Sequence, residues 1–185
     1  MLQKKFVKRK GAKTNHVIIT SGPFGYTGAG FAILLKNKKC SKKFGAKAKS
    51  AVFKPRCRLM FGLKNKNYFS SSMDSSDGLS TTLNEMSSQS KKKFVITTMP
   101  SENDVFYFAD SNKLNPNELI LNSGEEYEIV ATTSKGNLPK IKKDAKKHRI
   151  KLYEIGYVTK GSGVFYKRNG KLVRIKDKGW QHLQH

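Results

Sequence analysis

Short runs of β-branched and aromatic residues alternate along this chain with segments of helical period. Val17-Ile18-Ile19-Thr20, Tyr68 to Met73, Phe94 to Thr98 and Tyr127 to Thr133 are bounded by Gly, Pro, Asp or Ser and read as strands. Leu79, Leu83 and Met86 fall at i, i+4 and i+7, which predicts a helix directly after the second strand. Val105 to Phe108 and Leu114 to Leu121 predict short helices, and Lys140 to His148 a charged one. Lys54-Pro55-Arg56 can open a helix with Pro55 in its first turn, and Leu59, Met60 and Leu63 would be its apolar face. Ser21 to Gly30 reads as a glycine-rich turn that feeds a helix at Phe31 to Leu35. Residues 38–50, rich in Lys, form a loop or a short helix. Tyr153 to Thr159, Gly163 to Tyr166 and Lys171 to Ile175 make a terminal set of strands, with an Asn169-Gly170 hairpin turn between the last two. The mixture predicts an α+β, or α-β sandwich, fold: a mixed sheet covered by helices.

Composition narrows the class. With 37% hydrophobic and 10% aromatic residues, the 185-residue chain is globular rather than disordered. No stretch approaches the ~18 apolar residues of a membrane span, and MLQKKFVKRKGAKTNH has charges with no apolar run behind them, unlike a signal peptide. Cys40 and Cys57 have no metal-type spacing and are expected to be reduced structural thiols, which points to the cytoplasm. The 37 Lys plus Arg against 13 Asp plus Glu give a net charge of +24, a surface that attracts polyanions and phosphates. The lysines are scattered and not interleaved with a regular aromatic pattern, so the charge does not favour nucleic acid.

Few segments carry candidate chemistry. Asp74-Ser75-Ser76-Asp77-Gly78 ends a predicted strand and opens a helix. Two carboxylates and a hydroxyl at a helix N-terminus can hold Mg²⁺ while backbone amides meet phosphate oxygens. The same residues also describe an ordinary capped helix, with Asp77 as N-cap. Gly124-Glu125-Glu126-Tyr127-Glu128 clusters three of the scarce 13 acids before a strand. Trp180, the only tryptophan, either pins the tail to the core or stacks on a flat ring.

The order of these segments is more specific than any one of them. Arg9-Lys10-Gly11-Ala12-Lys13, Val17 to Gly25, Gly28-Ala29-Gly30, Met73 to Leu79, Ser123 to Val130, Ile155 to Thr159 and Gly179-Trp180-Gln181-His182-Leu183 follow one another in a series. The series resembles the C-terminal half of the thiamine-monophosphate kinase family, within the aminoimidazole ribonucleotide synthase superfamily. The resemblance implies ATP-dependent transfer of a phosphoryl group onto thiamine monophosphate, giving thiamine diphosphate. It implies Asp74 and Asp77 as Mg²⁺ ligands, Ser76 and Arg9 as contacts to ATP, and Trp180 with Glu125 or Glu126 as contacts to the substrate. It divides the chain into an arm or linker remnant at 1–12 and a kinase-type domain at 13–185. The family's N-terminal half, which carries most of the metal-binding aspartates, the adenine site and the dimer barrel, is not matched. The expectation is therefore a kinase half that needs its other half in cis or in trans, inactive alone or a split subunit, with any homodimer built mainly by that half. Tyr26 stands where an aspartate is usual, and Ser123-Gly124-Glu125 replaces Gly-Gly-Glu, which leaves substrate details open. Two alternatives stand beside this reading: a basic non-enzymatic nucleic-acid-binding module, and a superfamily member with another phosphoryl acceptor.

Overall fold

The computed structural model describes residues 6–179. A seven-stranded mixed sheet runs through the molecule: β1 (Val17–Thr20), β2 (Phe69–Asp74), β3 (Lys93–Ile96), β4 (Ile129–Thr133), β5 (Tyr153–Thr159), β6 (Val164–Arg168) and β7 (Lys171–Arg174). Their spatial order is β2-β4-β1-β5-β3-β6-β7. Pairings are antiparallel except β3 with β6, so the predicted mixed sheet is present. Around it lie α1 (Tyr26–Lys36), α2 (Lys42–Phe53), α3 (Leu59–Asn65), α4 (Leu79–Ser90), α5 (Asn103–Ser111), α6 (Pro116–Leu121) and α7 (Leu138–Lys147).

Strand alternation distributes the core over two faces. Ile18, Phe94, Ile96 and Val130 pack with residues of α1, α2, α4, α5 and α6. Val17, Ile19, Phe69 and Ala131 pack on the opposite face with Phe61 of α3 and Ile141 and Ala145 of α7. Covering both faces explains why β1 is apolar at consecutive positions and buried throughout. The predicted Leu79, Leu83 and Met86 stripe of α4 is fully buried. The hairpin β6–β7 turns at Asn169 and Gly170, both at positive φ (48° and 76°).

The structure corrects several expectations. Gly28-Ala29-Gly30 is not a turn but lies within the first two turns of α1. Its small residues serve packing: a Cβ on Gly30 would lie 2.6 Å from the Ala48 carbonyl oxygen of α2. Residues 42–53 form a full helix, and α3 starts at Leu59, beyond Pro55. That helix turns the other way round from the expected packing: Phe61 and Asn65 are buried, while Leu59, Met60 and Leu63 face solvent. Cys40 and Cys57 are free and exposed, so they hold no part of the core. Residues 8–12 lie along the edge of the fold: the Lys8 carbonyl accepts from Ser72 N–H of β2, and Gly11 and Ala12 N–H both donate to Ser90 Oγ of α4. Among the described residues no helix is long and apolar enough to cross a membrane.

Candidate functional site

The two acidic segments, far apart in sequence, are zipped together by their backbones. Ser75 N–H donates to the Glu128 carbonyl (2.9 Å), Tyr127 N–H to the Ser75 carbonyl (3.0 Å) and Glu125 N–H to the Ser76 carbonyl (2.7 Å). These bonds prolong the β2–β4 pairing past the end of both strands, whose register brings Asp74 opposite Ile129. Gly124 is required by that approach, since a Cβ there would stand 2.6 Å from the Ser76 carbonyl oxygen. Glu125 and Tyr127 adopt φ of +66° and +51°, so the loop is held in a conformation that ordinary side chains disfavour.

Within the first segment burial alternates. Asp74 is exposed, Ser75 is buried, and Ser76 and Asp77 are half-buried. Ser75 Oγ is buried without a hydrogen-bond partner among the described residues. The cap of α4 is Gly78 (φ 105°) with no side-chain bond, not Asp77 as expected, so the Asp77 carboxylate is not spent on the helix. The C-terminal segment closes over this turn. Thr81 Oγ1 donates to Asp177 Oδ1 (2.6 Å), and Gly179 is seated so closely that a Cβ would lie 2.1 Å from the Asp77 carbonyl oxygen. Trp180 lies outside the described residues.

The second segment points its acids to opposite sides. Glu125 is exposed and accepts from the Tyr127 hydroxyl (2.6 Å). Glu126 turns to the N-terminus of α1, where its Oε1 accepts from Gly25 N–H (2.7 Å) and Thr27 N–H (3.3 Å). A carboxylate suits a helix N-terminus, but burial dominates and pushes the Glu126 pKa up to about 7, with Glu128 adding in the same direction. Glu128 is buried and bidentate to Arg58 (Nε to Oε2 2.8 Å, Nη2 to Oε1 2.6 Å). Glu128 Oε2 also accepts from Ser21 Oγ (2.5 Å), whose oxygen accepts Ile129 N–H (2.8 Å). Bonding to Glu128 holds the Arg58 pKa above its ordinary value. The Arg58–Glu128 tie spans 70 residues, beyond the reach of any local pattern. The only sequence signal for it was an acid placed next to a buried strand in an acid-poor chain.

Tyr26, Lys47, Arg56, Arg58, Glu126 and Glu128 stand in the wall of a cleft of about 240 Å³ beside α1. Arg9 does not join the acidic loops; its partner is Glu85 of α4 at 3.9 Å, with Arg9 exposed and Glu85 half-buried. Among the described residues no three His, Cys, Asp or Glu side chains gather as a closed metal cage. The donor set nevertheless suits Mg²⁺, which keeps several waters and is bound by one or two carboxylates plus substrate phosphates. Asp74 and Asp77 offer carboxylates that no capping bond or ion pair within the described residues consumes.

Comparison with known proteins agrees with the fold. Residues 13–168 match the family described as AIR synthase related protein, C-terminal domain. The chain is 53% identical over 180 residues to a thiamine-monophosphate kinase of Nitrosopumilus maritimus, covering 97% of this chain and 57% of that one. It is 33% identical over 178 residues to a thiamine-monophosphate kinase of Pyrococcus horikoshii, covering 95% of this chain and 53% of that one. Its fold superposes on a structure of AaThiL complexed with AMPPCP and TMP with a TM-score of 0.78 at 29% identity, covering 97% of this chain and 55% of that chain. The chain thus spans little more than half the length of the curated relatives it matches. On sequence and fold alike, the chain belongs to the AIR synthase related protein, C-terminal domain family.

Proposed function

We propose that this chain supplies one half of an ATP-dependent phosphotransferase that converts thiamine monophosphate to thiamine diphosphate in the cytoplasm. The observation that carries the reading is the direct pairing of the Asp74–Asp77 turn with the Gly124–Glu128 loop, in a chain similar to named thiamine-monophosphate kinases. Asp74 and Asp77 would hold Mg²⁺, and Ser76 would meet the nucleotide phosphates. Bound Mg²⁺ neutralises charge on phosphate oxygens during transfer. Glu125, the exposed member of the acidic pair, would contact the thiamine moiety together with Trp180. Glu126 is engaged with α1 and is assigned to the scaffold instead. Arg9 would reach ATP from the arm by exchanging its long contact with Glu85. The net charge of +24 steers anionic substrates toward the site.

In this reading the chain forms one wall of the active site, residues 13–185 being the kinase-type domain and 1–12 the arm. The length of the relatives beyond the match would supply the other wall, in cis or in trans. Calorimetric titration of the chain with Mg²⁺ and AMPPCP tests the assignment. Weak, magnesium-dependent binding that Asp77→Asn abolishes is expected. Binding unchanged by that substitution sinks the site, and turnover of thiamine monophosphate by the chain alone sinks the need for a second half.

A further inference from the structure

Leu59, Met60 and Leu63 of α3 are 65%, 58% and 51% exposed. At about 100° per residue these three positions share one arc of roughly 100° on the helix. Phe61 (2% exposed) and Asn65 (1%) occupy the opposite side. The helix therefore buries an asparagine, held by bonds from its Nδ2 to the Phe61 carbonyl (3.0 Å) and Asp144 (2.8 Å), while a Leu-Met-Leu stripe faces water. Phe53, the last residue of α2, is 66% exposed on the same stretch of chain. Single exposed apolar side chains are ordinary, but a stripe of large ones that leaves one face of a helix uncovered marks an interaction surface.

The location gives the stripe its meaning. Arg58, the residue before α3, is ion-paired with Glu128 at the base of the acidic loop. Gly62 lies against Ile129, the first residue of β4, with room for a Cβ only 3.0 Å from Ile129 Cδ1. A body resting on α3 would stand beside the candidate site. The two curated relatives extend well beyond this chain, which matches 57% and 53% of their lengths. We infer that the Leu59–Met60–Leu63 stripe is the docking surface for the remaining portion of the kinase length, which presents a complementary apolar patch to it. This rests on the reading that such a portion forms the second wall of the site. A second copy of this chain is the poorer occupant. Symmetric docking through α3 would bring Lys54, Arg56, Lys64 and Lys66 of each copy toward the same residues of the other, in a chain of net charge +24.

Carbene footprinting of this chain and of the full-length Nitrosopumilus maritimus kinase tests the inference. The α3 peptide is expected to label heavily in this chain, and the aligned helix of the kinase about fivefold less. Equal labelling overturns the proposal. Labelling of this chain that falls with concentration as light scattering reports a dimer assigns the stripe to a second copy, and also overturns it. The triple variant Leu59→Lys, Met60→Lys, Leu63→Lys should keep the circular dichroism and melting temperature of the parent chain; loss of folding would make the stripe part of the core. The footprint needs no nucleotide, so a failure to bind Mg²⁺ and AMPPCP removes the proposed activity without deciding the α3 result.

Discussion

Glu125 and Glu126 are adjacent in sequence and opposite in circumstance. Glu126 is turned inward, accepts two backbone N–H groups of α1, and has its pKa pushed up to about 7 by burial. Beyond it, Glu128 is locked by Arg58 and Ser21. Glu125 and, across the zipped backbone, Asp74 are exposed, and Asp77 is free of the capping duty expected of it. The inward acids are consumed in holding the loop, and the outward ones remain available to a cation or a ligand. The difference shows how a chain with only 13 acids can build a carboxylate site: some acids fix the geometry so that others need not.

The sharpest way to break this contrast is to remove the inward anchor. Arg58→Ala leaves the Glu128 carboxylate, 7% exposed, without its guanidinium. Stranding one partner of a buried pair costs about 3–5 kcal/mol, and the quarter-exposed Arg58 places the effect near the lower end. Urea denaturation measures it, and a loss below about 1 kcal/mol would show that Glu128 is not held chiefly by Arg58. Gly22→Ala should act through the same contact, because its Cβ would stand 2.3 Å from Glu128 Oε1.

Next in size is the titration of Glu126. Its folded pKa of about 7 lies above the ordinary 4.5, so between those values the folded state binds more protons than the unfolded one. The stabilisation is complete below the lower value and is lost as pH rises through the upper one, with a slope of at most about 1.4 kcal/mol per pH unit. Glu126→Gln keeps an oxygen for Gly25 and Thr27 N–H and removes the titration. The variant should show a flatter stability profile from pH 5 to about 7.5, the window set by that raised pKa. Parallel profiles for the two proteins would place the buried proton elsewhere.

The outward acids should behave in the reverse manner. Asp74→Asn and Asp77→Asn are expected to change stability by less than about 0.5 kcal/mol, as surface substitutions do, while lowering Mg²⁺-dependent AMPPCP binding at least tenfold, or about 1.4 kcal/mol. A large stability loss with binding intact would reassign these aspartates to the scaffold.

How much of this could be read from the chain follows the range of the interactions. The strands and the α4 stripe were legible because β-branching and the Leu79, Leu83, Met86 period are local signals. The acidic segments were legible as motifs in a fixed order. What escaped depends on partners far away in sequence. Gly28 and Gly30 looked like a turn because their reason for being small is Ser123 and α2, not their own backbone. The α3 stripe faces opposite to the sequence expectation because its local pattern does not say which side carries the sheet. Glu126 and Glu125 could not be told apart, since the choice is made by the α1 amides that only the fold brings to one of them.

The smallest expected effect bears on that last distinction. The Tyr127 hydroxyl donates to Glu125 Oε2, and this bond raises the Tyr127 pKa while sitting at the surface. Tyr127→Phe removes the only hydrogen bond that fixes the outward carboxylate among the described residues, and leaves the backbone zipper of Tyr127 N–H to Ser75 intact. An exposed bond of this kind is worth at most about 0.5 kcal/mol, so thermal unfolding should scarcely move. If Glu125 serves the ligand, freeing it should still be visible as a two- to threefold weakening of thiamine monophosphate binding, a difference of about 0.5 kcal/mol. If instead the substitution costs several times that in stability and nothing in binding, the tyrosine belongs with Arg58 and Glu128 among the residues that hold the loop. The carboxylates of Asp74, Asp77 and Glu125 would then stand apart from that scaffold, with Asp74 and Asp77 keeping the stronger claim on a ligand.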